Sequence, residues 1–245
     1  MNVTFLSLNL YSLISTSSFY TVNHYYDYKI STTIFNSHFS HFFESVIYSN
    51  SNYHKIALQK DSFLNALNSV IKFDNSAKSI ITNKYITTQF HYSDLNEYGD
   101  ITISSCHFKN CHSKLGGAIY ITQKSLINLN NIFFENCSAE VGSCCYILTN
   151  STIYTNDKLT NYNENFHTNV QYCCFSQFKV DSNLNENKNG YGSILYIASE
   201  NVNFFYSSSI YPTYKREDIC ESRGALFDLQ SSQISMKNIN STNGR

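Results

Sequence analysis

The sequence predicts an all-β chain folded as one right-handed parallel β-helix, a solenoid of short strands carrying polar loop insertions. Two observations carry that expectation. The first is a repeat. Cys106-His-Phe-Lys-Asn110-Cys111 leads into Gly116-Gly117-Ala118-Ile119-Tyr120-Ile121, and Phe133-Phe134-Glu-Asn136-Cys137 leads into Gly142-Ser-Cys-Cys-Tyr146-Ile147. Four pairs of anchors, Asn110/Asn136, Cys111/Cys137, Gly116/Gly142 and Tyr120/Tyr146, are all 26 residues apart. A fixed period in this range marks a solenoid with one supersecondary unit per turn. The second is composition. Only 14% of the 245 residues are charged, whereas Ser, Asn, Thr and Tyr abound, which suits a sheet surface built from small hydrogen-bonding groups.

Within the repeat, Gly116-Gly117 supplies a turn that needs positive φ or close backbone approach. Ala118–Ile121 is then a short β-rich run, and Ile101–Ile103 alternates strictly. The unit is too short for a crossover helix, so its strands must stack in parallel on the next coil, about 4.8 Å away. Stacking explains the recurrence of Asn110 and Asn136, since in-register amides form ladders. Asn136 is expected to point inward.

The motifs Gly-Gly-Ala-Ile (Gly116–Ile119) and Phe-x-x-Asn (Phe133–Asn136) resemble the repeat signature of the polymorphic outer membrane proteins. That resemblance implies a right-handed β-helix displayed on a cell surface as an adhesin.

At about 25 residues per coil, the chain holds on the order of eight to ten coils. Residues 1–97 read as degenerate coils and 98–245 as clearer ones. Residues 1–19 are mildly apolar but lack a basic start and a small-residue cleavage site, so a first, irregular strand pair is expected there. Ser45–Tyr48 parallels Gly117–Tyr120 as a faint copy. Phe63, Leu64, Leu67, Val70 and Ile71 make a helical stripe, so 61–72 is either a short helix or a strand run at 69–73. Polar insertions are expected at 149–169, 181–190 and 207–222. Gly192 and Gly224 open two further copies. Gly192 lies 50 residues past Gly142, which is about two periods or one period plus loops, and the two adjacent polar inserts favour the latter. The chain stops in mid-repeat, as a fragment or a truncated family member would.

Eight cysteines are a modest number for this length. Cys106-His107 with Cys111-His112 has the ligand types for zinc but no second half, and packing as small apolar residues is the favoured reading; no metal site or cofactor is expected. Cys111 and Cys137 share one repeat position, so stacking would put their Cα atoms within the disulfide window of about 4.4–6.8 Å, and an oxidising compartment would bridge them. Cys144-Cys145 and Cys173-Cys174 should each bury one member. Sequons occur at Asn2, Asn136, Asn150 and Asn240, of which Asn150 is the credible glycosylation acceptor.

Acids are scattered, Asp94, Glu97 and Asp100 in one place and Glu217, Asp218 and Glu221 in another, so no catalytic residue stands out. A net charge of −1 makes no case for a nucleic-acid partner, and no stretch reaches the roughly 20 apolar residues of a membrane span. The expected function is a non-enzymatic surface or secreted protein that binds a protein or glycan. The alternatives are a carbohydrate-active β-helix enzyme and a truncated, vestigial copy.

Overall fold

A computed structural model describes residues 2–13, 18–22, 30–50, 54–74, 99–122, 125–149, 154–155, 158–159, 167–176, 179–180, 194–199, 201–211, 227–231 and 233–243. Among them all regular structure is strand. Seven coils contribute one strand to each of three parallel sheets and an eighth adds one to each of two, the architecture of a right-handed parallel β-helix. The first sheet stacks eight strands in chain order: Asn2–Leu6, Ile30–Phe35, His54–Gln59, Gly99–Ser104, Ser125–Asn130, His167–Gln171, Asn201–Phe205 and Gln233–Lys237. The second stacks Asn9–Leu13, His38–Phe42, Ser62–Ala66, His107–Cys111, Phe133–Glu135, Cys174–Ser176, Ser208–Tyr211 and Asn240–Asn243. The third stacks seven, Tyr20–Val22, Ile47–Ser49, Ile71–Asp74, Ile119–Thr122, Cys145–Leu148, Leu195–Ala198 and Phe227–Gln230.

The 26-residue period holds between the two clean coils in all three sheets: Ile101 pairs Ile127, Phe108 pairs Phe134, and Ile119 pairs Cys145. Elsewhere coil length varies, but the corner between the first and second sheets does not. In all eight coils two residues turn it, the first with left-handed backbone: Ser7, Asn36, Lys60, Ser105, Asn131, Tyr172, Tyr206 and Asn238, with φ between 50° and 58°. Extra length enters instead between Asp74 and Gly99, Leu148 and His167, Ser176 and Leu195, and Tyr211 and Phe227. Cys145 therefore pairs Leu195, and those 50 residues make one coil.

Alternation along each strand sends every second side chain inward. Stacked coils turn these into columns. Phe39, Phe63, Phe108, Phe134 and Phe175 are fully buried, one per rung, with ring centroids 5.2, 5.0, 5.3 and 5.3 Å apart and planes within 13°. Beside them the third sheet buries the aligned column Ser49, Phe73, Ile121 and Ile147.

The second residue of each tight corner points inward, and where it is polar it satisfies the corner amide of the preceding coil. Ser37 Oγ accepts from the Leu8 amide at 3.1 Å, and Ser207 Oγ accepts from the Cys173 amide at 3.2 Å. Asp61 accepts from the amides of Ser37 (2.7 Å) and Gln59 (3.0 Å). Burial pushes the Asp61 carboxyl up to about 6 despite those two bonds.

Of the two readings for 61–72 the strand run holds, and two of the expected insertions are corrected. Residues 61–72 form no helix; Ser62–Ala66 and Ile71–Asp74 are strands. The helical spacing arose because Asn65, at φ 57°, breaks the strict alternation between Phe63 and Ala66. The insertion expected at 207–222 contains the strand Ser208–Tyr211, whose serines hide its pairing with Cys174–Ser176. That expected at 149–169 contains a two-residue antiparallel pair, Tyr154–Thr155 with Lys158–Leu159, and the start of the His167–Gln171 strand.

Candidate binding face

Residues of the repeat motif meet mainly at the corner between the second and third sheets. Gly116 and Gly142 occupy equivalent positions with φ of 59° and 61°, so the left-handed turn belongs to them. Gly117 is needed for a different reason. A Cβ there would press on the carbonyl oxygens of Ser143 and, at 2.7 Å, Ser138. Ala118 and Ile119 are buried behind this turn, and so is Phe134, while its neighbour Phe133 is 37% exposed and stacks on His107.

Asn110 and Asn136 form the expected ladder, but it faces outward. The Asn136 side-chain amide donates to Asn110 Oδ1 at 2.6 Å, and Asn110 donates to Asn65 Oδ1 at 2.7 Å. All three have φ between 51° and 57°. Left-handed backbone, which Asn tolerates better than other non-glycine residues, selects them; that conformation turns Asn136 to solvent. A second outward ladder on the first sheet links Asn203, Asn169 and Asn128 at 2.8 Å per step. Its spacings of 34 and 41 residues hid it from a search for one period.

Cys111 and Cys137 lie in successive coils at one position, both fully buried and present as free thiols; the bridge expected between them is not formed here. The Cys144 thiol also hydrogen-bonds to Cys137. Burial pushes Cys111 and Cys144 up, whereas the bonds from Cys111 and then Cys144 make Cys137 the most acidic of the three. Cys106 occupies the inward corner position next to Asp61, and burial raises its thiol to about 12. Its neighbour His107 turns its side chain outward at the start of the next strand, so the Cys-His pair is divided between core and surface. Among the described residues no group of three His, Cys, Asp or Glu is placed to hold a metal ion. Cys144 and Cys145 are both buried, because Cys144 lies in the turn before the strand; of the second pair Cys173 is buried and Cys174 half-buried. Gly192, Gly224, Asn150, Asp94, Glu97, Glu217, Asp218 and Glu221 lie outside the described residues.

On the second sheet, Glu135 joins Lys109 (2.9 Å) and His107 (3.2 Å), and the Lys109 hydrogen bond chiefly holds its carboxyl below the usual range. The third sheet carries the most ordered surface. Its outward column runs, rung by rung, Tyr48, Lys72, Tyr120, Tyr146, Tyr196 and Asp228. The rings of Tyr120, Tyr146 and Tyr196 stack with centroids 5.5 and 4.8 Å apart and planes 13° and 9° from parallel. Lys72 fills the rung between Tyr48 and Tyr120, its Nζ 6.0 and 5.8 Å from their ring centroids. Asp74, two residues along the same strand, puts one negative charge beside that cation. Burial raises the phenols of Tyr48, Tyr120 and Tyr146, so they are neutral hydrogen-bonding groups at ordinary pH. The 26-residue spacing of Tyr120 and Tyr146 was the signal for this column. Its continuation through Lys72 and Tyr48 was hidden in the degenerate coils.

No family model, curated protein or solved structure matches this chain. No helix among the described residues is long and apolar enough to cross a membrane.

Proposed function

We propose that this chain is a non-enzymatic binding protein of the cell surface or the secreted space, of the polymorphic outer membrane protein type. Its third sheet would be the contact face. The outward column Tyr48–Lys72–Tyr120–Tyr146–Tyr196 is the observation that carries this reading. A tyrosine gives large contact area with few rotatable bonds, and stacking fixes the rings before any partner arrives, which lowers the entropy cost of binding. The parallel sheet below supplies a rigid platform.

The test is binding of the full chain to intact cells and to their envelope fractions, with released sugars and peptides measured alongside. Saturable binding that Tyr146→Ala weakens, without release of new reducing ends, supports the proposal. New reducing ends would turn it into a carbohydrate-active enzyme, and no binding at all would end it. Export is tested separately by a thiol count on protein from its native cells. A peptide linking Cys111 to Cys137 indicates an oxidising compartment, and seven or eight free thiols oppose export.

A further inference from the structure

From the spacing and charge of the tyrosine column, we infer that it takes an extended, neutral, linear glycan lying along the solenoid axis with one sugar per coil. The inference rests on the binding role proposed above and names its ligand class. Three features of the face lead to it.

The first is the repeat. Rings follow one another at 5.5 and 4.8 Å, set by the strand spacing of about 4.8 Å. An equatorially linked pyranose chain advances by close to one such spacing per sugar, so each sugar meets one phenol, alternate sugars presenting opposite faces to it. An extended peptide laid along the axis advances about 3.4 Å per residue and about 6.8 Å per same-side pair, and neither step matches the ring spacing. The second is ring orientation. Parallel stacking covers the ring faces with one another and leaves the ring edges and phenol oxygens, that of Tyr120 bonded to Thr122, as the polar groups of the column. That suits a ligand rich in hydroxyls better than an apolar one. The third is charge. Lys72 is balanced by Asp74 on its own strand, and Asp228 follows Tyr196 on the next rung, a slight negative excess that disfavours a uronate or sulfated chain and suits a neutral one.

The probes are neutral β-1,4-linked oligosaccharides of two to six sugars, with a uronate oligomer of equal length for comparison, titrated against the full chain by calorimetry. Affinity should rise with each added sugar up to the length of the column, and the uronate should bind at least tenfold more weakly. Tyr146→Phe keeps the ring stack and removes one hydroxyl; it should lose about tenfold in affinity at unchanged thermal stability. Tyr146→Ala should lose more. Affinity independent of glycan length, or untouched by Tyr146→Phe, overturns the inference. If Tyr146→Ala abolishes binding to cells while no glycan binds, the face recognises a protein and only this ligand assignment fails. If neither cells nor glycans bind, both readings fail.

Discussion

Adjacent phenylalanines at 133 and 134 give the fold its sharpest energetic test, because the register puts one in the core and the other at the surface. Phe134 is fully buried, with Phe108 and Phe175 at 5.3 Å on either side. Truncation to alanine removes its transfer free energy and leaves a cavity between two rings, for a cost of about 3–5 kcal/mol. That cost already contains the two lost ring contacts, and it is a large share of the roughly 5–15 kcal/mol that holds an ordinary domain together. Coils couple only to their neighbours, so the damage should split the solenoid and broaden or divide its unfolding transition. Phe133→Ala removes a half-exposed ring stacked on His107 at 5.0 Å and should cost about 1 kcal/mol or less. Urea denaturation followed by far-ultraviolet circular dichroism and tyrosine fluorescence reads both; the chain has no Trp and 20 Tyr. Equal costs at the two positions, or a larger one at 133, would refute the register. A one-residue slip exchanges their faces.

Asp61 should make stability depend on pH. Its folded value of about 6 lies above the ordinary 3.8, so its neutral form is favoured by folding. Stability is then fullest below about pH 4 and falls as pH rises through 6, by at most about 3 kcal/mol. Asp61→Asn should remove that slope in a series of pH-dependent melts; a slope that survives would clear Asp61. Gly117→Val forces a branched side chain onto the Ser143 and Ser138 carbonyls and should cost about 3 kcal/mol or more, and Gly116→Ala, whose Cβ would press on the Ile119 carbonyl as well as meet the left-handed φ, should cost about as much. An unchanged melting temperature for Gly117→Val would contradict the stacked corner. At the amide ladder, Asn110→Ala loses two hydrogen bonds and strains φ 53°, while Asn110→Gly loses the bonds alone. Alanine should therefore be worse by about 1 kcal/mol in chemical denaturation, and the reverse order would place Asn110 elsewhere.

How much was legible follows from where the repeat is strict. Between 98 and 148 every coil element is short and in period, and Gly116, Gly142, Asn110 and Asn136 reveal strand, turn and corner directly. The face of Asn136 was misread because recurrence signals stacking without its direction, which depends on a backbone φ of 51°. At 61–72 one left-handed residue was enough to give two strands a helical spacing. The tyrosine column had half its members in the clean repeat. Lys72 escaped because a cation between two rings breaks the residue identity that a repeat search follows, although it preserves the stack physically. Asp61 was also invisible, since nothing local tells a solvated carboxylate from one that caps a buried corner.

Stacking of one coil on the next is the claim on which all else depends, and distances between spin labels test it most directly. On the outer face of the first sheet, register places Thr33, Ala57, Thr102, Asn128, Asn169, Asn203 and Ser235 on seven successive rungs. Labels introduced by a noncanonical side chain, which spares the native thiols, should lie about 29 Å apart for Thr33 with Ser235 and about 19 Å for Thr102 with Ser235, at about 4.8 Å per rung. Distances that follow the number of rungs, whatever the length of chain between them, are the expected result. Distances that ignore rung number would contradict the solenoid, and with it the tyrosine face.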